Sequence, residues 1–302
     1  MFKEKTVLCK KKLVVLCMSL SVLASLMAAE QKDTPDPVTE LSLTVATTLE
    51  MQLNLKHERF FSDKLKAAFS CAVSPVSVNV DAETAWTVLP FLELSGGARA
   101  GTGWNIPLAD GLRFNQPDGS GGNRLIAGDF DGLVWSMRAG GALQFDWAAI
   151  RPGDWNHILF RSYHGLRYRA WTAAGSDESW LWEADAGENR NGWQWNGNLF
   201  LGYAMPLPLS LVGFYGEGDL ALNETSGRSY WGEDLAHYIF GPLAVIKAGD
   251  RLSLALLAQW QTVRNFTSET AGNGFYQERR VDRSDPQRVE FYRAALTAVW
   301  RF

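Results

Sequence analysis

Cysteine is nearly absent from this 302-residue chain, occurring only at Cys9, Cys17 and Cys71. The first two lie within the opening 29 residues, so the rest holds a single thiol. That excludes an internal disulfide there and gives no sign of a zinc or iron–sulfur site. Lysine is scarce as well: beyond residue 29 there are five lysines against 19 arginines, and no basic block, so nucleic acid is not an expected partner. Beyond that point no stretch approaches 18 consecutive apolar residues, which excludes a bundle of membrane-spanning helices. Gly101 to Trp104 and Asp118 to Asn123 are glycine-rich, but neither is followed by the Lys-Ser/Thr or helix start that a phosphate cradle needs. Turns are expected there, and no cofactor is implied.

The chain opens with a different composition. Residues 1–12 carry five lysines against Glu4, residues 13–29 carry no charge, and small Ala28 and Ala29 precede Glu30. A basic end, an apolar core and a small-residue exit form a secretory signal, with cleavage expected near Ala28 or Ala29. An uncleaved anchor is the competing reading, since a spanning helix needs only about 17–25 residues. The extended tether of Asp33, Pro35, Asp36 and Pro37 favours cleavage. Leu16 is too large for a usual lipidation site before Cys17. Removing five of 29 basic and one of 33 acidic residues leaves 24 against 32, a net charge of −8.

What dominates the remainder is alternation. From 41 to 55 every odd position except Thr47 is Leu, Val or Met, and the even positions are mostly polar. Period two of this length predicts a long strand with one apolar face. The pattern recurs over 133–149, 193–207 and 252–266, with weaker candidates at 62–74, 76–88, 89–104, 157–171, 178–187, 209–222 and 236–247. The span 76–104 keeps one phase and reads as one strand or two. Short turns are expected near Pro206 to Pro208 and Lys247 to Asp250, with longer polar loops at 223–235 and 267–287.

The final residues place Tyr292, Ala294, Leu296, Ala298, Trp300 and Phe302 on one phase, ending the chain on an aromatic. This resembles the C-terminal signal of bacterial outer-membrane β-barrel proteins, with Tyr292, Trp300 and Phe302 as its aromatic positions. The resemblance implies outer-membrane lipid and the β-barrel assembly machinery as partners, and an exported, outer-membrane location. The expected organisation is a signal peptide (1–29), a periplasmic N-terminal segment (30–39) and a barrel (40–302). The expected fold is all-β: a transmembrane, antiparallel, up-and-down β-barrel. At roughly 22–25 residues per strand with its connection, the count is about twelve, with ten as the rival.

In such a barrel the polar phase lines the lumen, where charge escapes hydrocarbon. It collects Glu50, Glu93, Arg99, Arg138, Asp146, Arg161, Arg167, Arg169, Glu217, Asp219, Arg293 and Arg301. Trp147, Trp171, Trp193, Trp195, Tyr203, Tyr292 and Trp300 are expected outside, near the interfaces.

The expected function is a porin-like channel for passive passage of small solutes or ions. Arg138, Arg161, Arg167, Arg169, Asp146, Glu217 and Asp219 are the charges expected to tune it. In the bland reading the arginines pair with Glu217, Asp219 and Asp146 and plug a narrow barrel; both readings stand at this point. A loop at 105–124 folding into the lumen is a further expectation. The alternatives are a surface structural or adhesion barrel with a closed lumen and a protease resembling the omptin type. The latter would use Asp129 and Asp131 with Asp234 and His237, although a spacing of three puts the last two on opposite strand faces. A lipase would need a Ser–His pair on the outer face; His164 lies on that phase without an evident nucleophile or orienting group.

Overall fold

The structure, a computed structural model, describes residues 37–47, 51–107, 109–115, 125–176, 178–182, 189–222, 231–273 and 275–302. The expected signal segment 1–29, Glu50 and the glycine-rich stretch 118–123 lie outside the described residues. In chain order the strands are β1 (Val38–Ala46), β2 (Met51–Ser62), β3 (Leu65–Ser74), β4 (Ser77–Leu89) and β5 (Leu92–Gly103). There follow β6 (Leu112–Asn115), β7 (Leu125–Ala127), β8 (Val134–Asp146), β9 (His157–Trp171) and β10 (Ser179–Trp182). The series ends with β11 (Gly192–Ala204), β12 (Leu209–Ala221), β13 (His237–Lys247), β14 (Leu252–Arg264) and β15 (Gln287–Arg301).

Twelve of these close into one antiparallel barrel, and β10, β6 and β7 form a separate three-stranded sheet. Closure is made by β1 and β15: Leu41 opposes Trp300 on one side and Leu55 on the other. The barrel has no open edge, which a bilayer requires because nothing there satisfies an open backbone. β1 begins and β15 ends at the same mouth. The long connections 104–133, 172–191, 222–236 and 265–286 all open at the opposite mouth.

The alternation sets the two faces. Leu53, Leu55, Met137, Leu143, Leu166, Leu201 and Phe214 are exposed on the outside, while their strand neighbours Asn54, Ser136, Ala142, Arg161 and Tyr215 turn inward and are half or fully buried. An exposed apolar belt around a closed barrel is the surface of a transmembrane barrel, not of a water-soluble one.

Several expectations are corrected. The segment 41–55 is not one strand but the hairpin β1–β2, whose partners Leu41/Leu55, Leu43/Leu53 and Val45/Met51 pair odd with odd and so keep a single phase through the turn. The segment 178–187 supplies β10, which leaves the barrel. The span 76–104 is two strands. Trp171 is buried at the loop end instead of facing lipid.

Tyr292 is also buried. A bulge in β15 pairs Gln259 with Arg293 but Trp260 with Phe291, so Tyr292 drops out of the outward phase and Phe291 takes its place. Trp300 and Phe302 do face outward.

Candidate functional site

The seven charges expected to tune passage lie on the inward phase, but the partners of the arginines differ from expectation. Arg138 donates Nη1 and Nη2 to Asp81 at 2.7 and 2.8 Å and Nη2 to Glu83 at 2.7 Å. Arg161 donates to Glu93 at 2.9 Å and to Gln144 at 3.0 Å. Arg167 donates to the Gln194 amide oxygen, and Arg169 to that of Asn189 while lying 5.3 Å from the Trp180 ring. Asp146 stands at the mouth shared by the termini, beside His157 at 2.7 Å, and accepts from the Ala148 amide. Glu217 accepts from the Tyr215 hydroxyl, and Asp219 lies 3.6 Å from His237.

Arg138 and Arg161 therefore pair along the wall with β4 and β5, not with Glu217, Asp219 or Asp146. Asp81 and Glu83 were not picked out as site residues, though they occupy the phase opposite Val78 and Val80 and the alternation singles them out. Lys56 and Glu58, an ion pair at 2.6 Å, were missed because the alternating segment was ended at Leu55, whereas β2 runs on to Ser62.

Register links these groups into a row. Glu40 opposes Lys56, which opposes Ser70, then Asp81, Arg99, Ser136 and Arg169 across successive strands. The row starts near the first residue of β1 and reaches Arg169 two residues before the end of β9. Because barrel strands tilt, it climbs from the terminal mouth to the loop mouth. A cavity of about 140 Å³ follows the same wall, lined by Glu40, Lys56, Asp81, Arg99, Arg138 and Arg169 among others. That is room for on the order of ten waters. Across the lumen Phe200, Leu211, Tyr215, Leu243, Val245, Ala255 and Leu257 form an apolar core inside the barrel, of which Val245 and Ala255 also line the cavity.

The loop mouth is covered. Leu112, Val134, Trp171, Ala174, Trp180 and Trp182 pack together beneath the small sheet, and Trp182 also lines the lumenal cavity. Asn115 at the end of β6 accepts from the Tyr276 amide, and Arg190 donates to both Glu233 oxygens at 3.0 and 3.2 Å. Trp231 meets Tyr276 edge to face. Four loops thus join in one cap. Of the 105–124 segment, β6 belongs to this cap at the mouth.

The protease constellation is not assembled. Asp129 accepts from Asn105, Asp234 is held by Arg283, and His237 stands against Asp219 on the barrel wall. On the outer face, Ser162 and His164 are 3.1 Å apart, with Trp195 stacked on the imidazole at 5.8 Å. The pair supplies the hydroxyl that alternation alone did not reveal. The strand amides around it are committed to the β9 ladders with β8 and β11, so they offer no donors for a developing oxyanion.

The sequence matches no protein-family model, and no curated protein matches it. Among solved structures, the chain is similar to the NanC porin (6% identity, TM-score 0.45, covering 87% of this chain and 98% of that one). It is also similar to the KdgM porin (10%, 0.38, 88% and 99%) and to the translocator domain of autotransporter NalP from Neisseria meningitidis (10%, 0.43, 94% and 95%). None is similar enough to assign a subfamily. The architecture stands on the chain's own geometry: a closed, twelve-stranded, antiparallel barrel of the transmembrane kind.

Proposed function

We propose that the protein is an outer-membrane channel through which small solutes or ions pass passively. The observation that carries this reading is the row of polar and charged side chains running from one mouth to the other beside a lumenal cavity. A wall built only to hold a barrel closed has no need of a row of charge that reaches from one mouth to the other. Export by the 1–29 signal and insertion by the assembly machinery through the strand ending in Trp300 and Phe302 complete the proposal.

A second reading, a structural or adhesion barrel with a closed lumen, draws on a different observation: the cap and the ion pairs along the wall leave only about 140 Å³. Refolded full-length protein in a planar bilayer separates the two. Stepwise conductance is expected, and its absence at every salt concentration would overturn the channel.

A further inference from the structure

We infer that the lumen holds a subsite for a small oxyanion, a carboxylate or inorganic phosphate, at the Arg99 guanidinium beneath the loop cap. This rests on the reading of the lumen as the functional site. Nine charged side chains line the cavity: Lys56, Arg99, Arg138, Arg167, Arg169 and Arg301 against Glu40, Asp81 and Glu83. In a chain whose formal charge is −4 the excess of arginine is local to this wall.

The three carboxylates are committed. Glu40 accepts from Arg301 at 2.7 Å, and Asp81 and Glu83 share Arg138. Arg99 is flanked in register by Asp81 and Ser136, yet among the described residues it donates only its Nε, to the Asn79 amide oxygen at 3.3 Å. Its Nη2 has no hydrogen-bond partner among the described residues. A guanidinium carries five donors in a planar fork that matches two oxygens of one anion, and an unmet charge away from bulk water favours capturing one. Arg169 continues the same register row, and Arg167 lies two residues before it; both donate to neutral amides, with Asp219 near enough to offset part of their charge. Trp182 roofs the space, so the ligand must be small.

Two measurements on the full chain in detergent or bilayer test this, and they fail separately. Phenylglyoxal labelling of Arg99, located by peptide mass spectrometry, is expected to slow at least about twofold in potassium acetate or potassium phosphate relative to chloride-free controls, with Arg138 as internal reference. Protection by acetate alone marks a carboxylate subsite, and protection by phosphate alone marks a phosphate subsite. Protection by neither overturns the inference. In a KCl gradient the channel is expected to prefer chloride, and Arg99→Gln, checked for heat-modifiable migration, to lower the anion-to-cation permeability ratio on the order of twofold. Should that variant fail to fold, Ser136→Asp, which sets a carboxylate beside Arg99, is expected to do the same. Conductance that prefers potassium overturns the anion subsite and leaves the channel standing. Labelling protection without any conductance overturns the channel and leaves the subsite.

Discussion

A methyl group at position 97 would sit 3.0 Å from the Arg138 Cζ and 2.8 Å from the Ala82 carbonyl oxygen. Gly97 lies in register between Glu83 on β4 and Arg138 on β8, so its bare Cα is what lets the guanidinium cross β5 to reach two carboxylates. Arg138→Ala would strand Asp81 and Glu83 in the wall. With those side chains 24% and 31% exposed to a wet lumen, the loss is expected to be about 2 kcal/mol, below the value for a fully dry pair. Urea unfolding in lipid vesicles measures it, and an unchanged midpoint would show that the triad is incidental. The inward direction of Arg138 was legible from alternation, because charge avoids the lipid phase. Its partners were not, since they depend on which strands neighbour β8 and on a glycine whose role appears only when three strands are side by side. Tyr292 was misread for a related reason: a bulge shifts the phase by one residue, and period counting runs straight through it.

At the scale of elements, the count of twelve was reached although the membership differed. Two misreadings compensate: 41–55 is two barrel strands counted as one, and 178–187 is a loop strand counted as part of the barrel. Parity explains the first, because a hairpin whose partners pair odd with odd carries its alternation unbroken through the turn. The second reflects the cap's own β-structure: β10 is buried on every residue, Ser179 to Trp182, by the other loops and by the loop-side ends of β8 and β9 rather than by barrel pairing. The cap should respond to pH in two directions. Burial raises the Glu233 carboxyl above its ordinary value of 4.5, against the pull of Arg190. Its proton is therefore held more tightly in the closed cap, so its contribution is full below the ordinary value and is lost as pH rises through the raised one. Asp234 runs the other way. Its hydrogen bond from Arg283 lowers it from 3.8, so its contribution is present above that value and is lost as pH falls through the lowered one. Hydrogen exchange in residues 231–235 and 275–285 is expected to be slowest, after correction for intrinsic rates, near pH 4 to 5 and faster on either side. A steady loss of protection from neutral pH into mild acid would assign the latch to a different group.

Taken whole, the molecule is asymmetric about its own axis. One wall carries a climbing row of charge beside the cavity, and across the lumen an apolar core spans β11 to β14 and meets the cavity at Val245 and Ala255, so the proposed channel follows the charged wall. Where the cavity meets the cap, Trp182 of β10 belongs to both the cap core and the cavity lining. Trp182→Ala is expected to open the loop mouth and raise single-channel conductance by on the order of twofold, because removing an indole at a constriction widens the path more than it weakens the wall. The same change deletes a buried aromatic from the cap and should cost it about 3 kcal/mol, seen as faster exchange in the loops with the strands unaffected. Heat-modifiable migration must therefore be retained, since the barrel's ladders do not pass through the cap. If conductance stays at the wild-type level while the loops loosen, the resistance lies deeper, beside Phe200 and Tyr215, and the apolar wall sets the flow. If both conductance and loop exchange rise together, the cap is the constriction, and the sheet of β10, β6 and β7 is the element that limits passage.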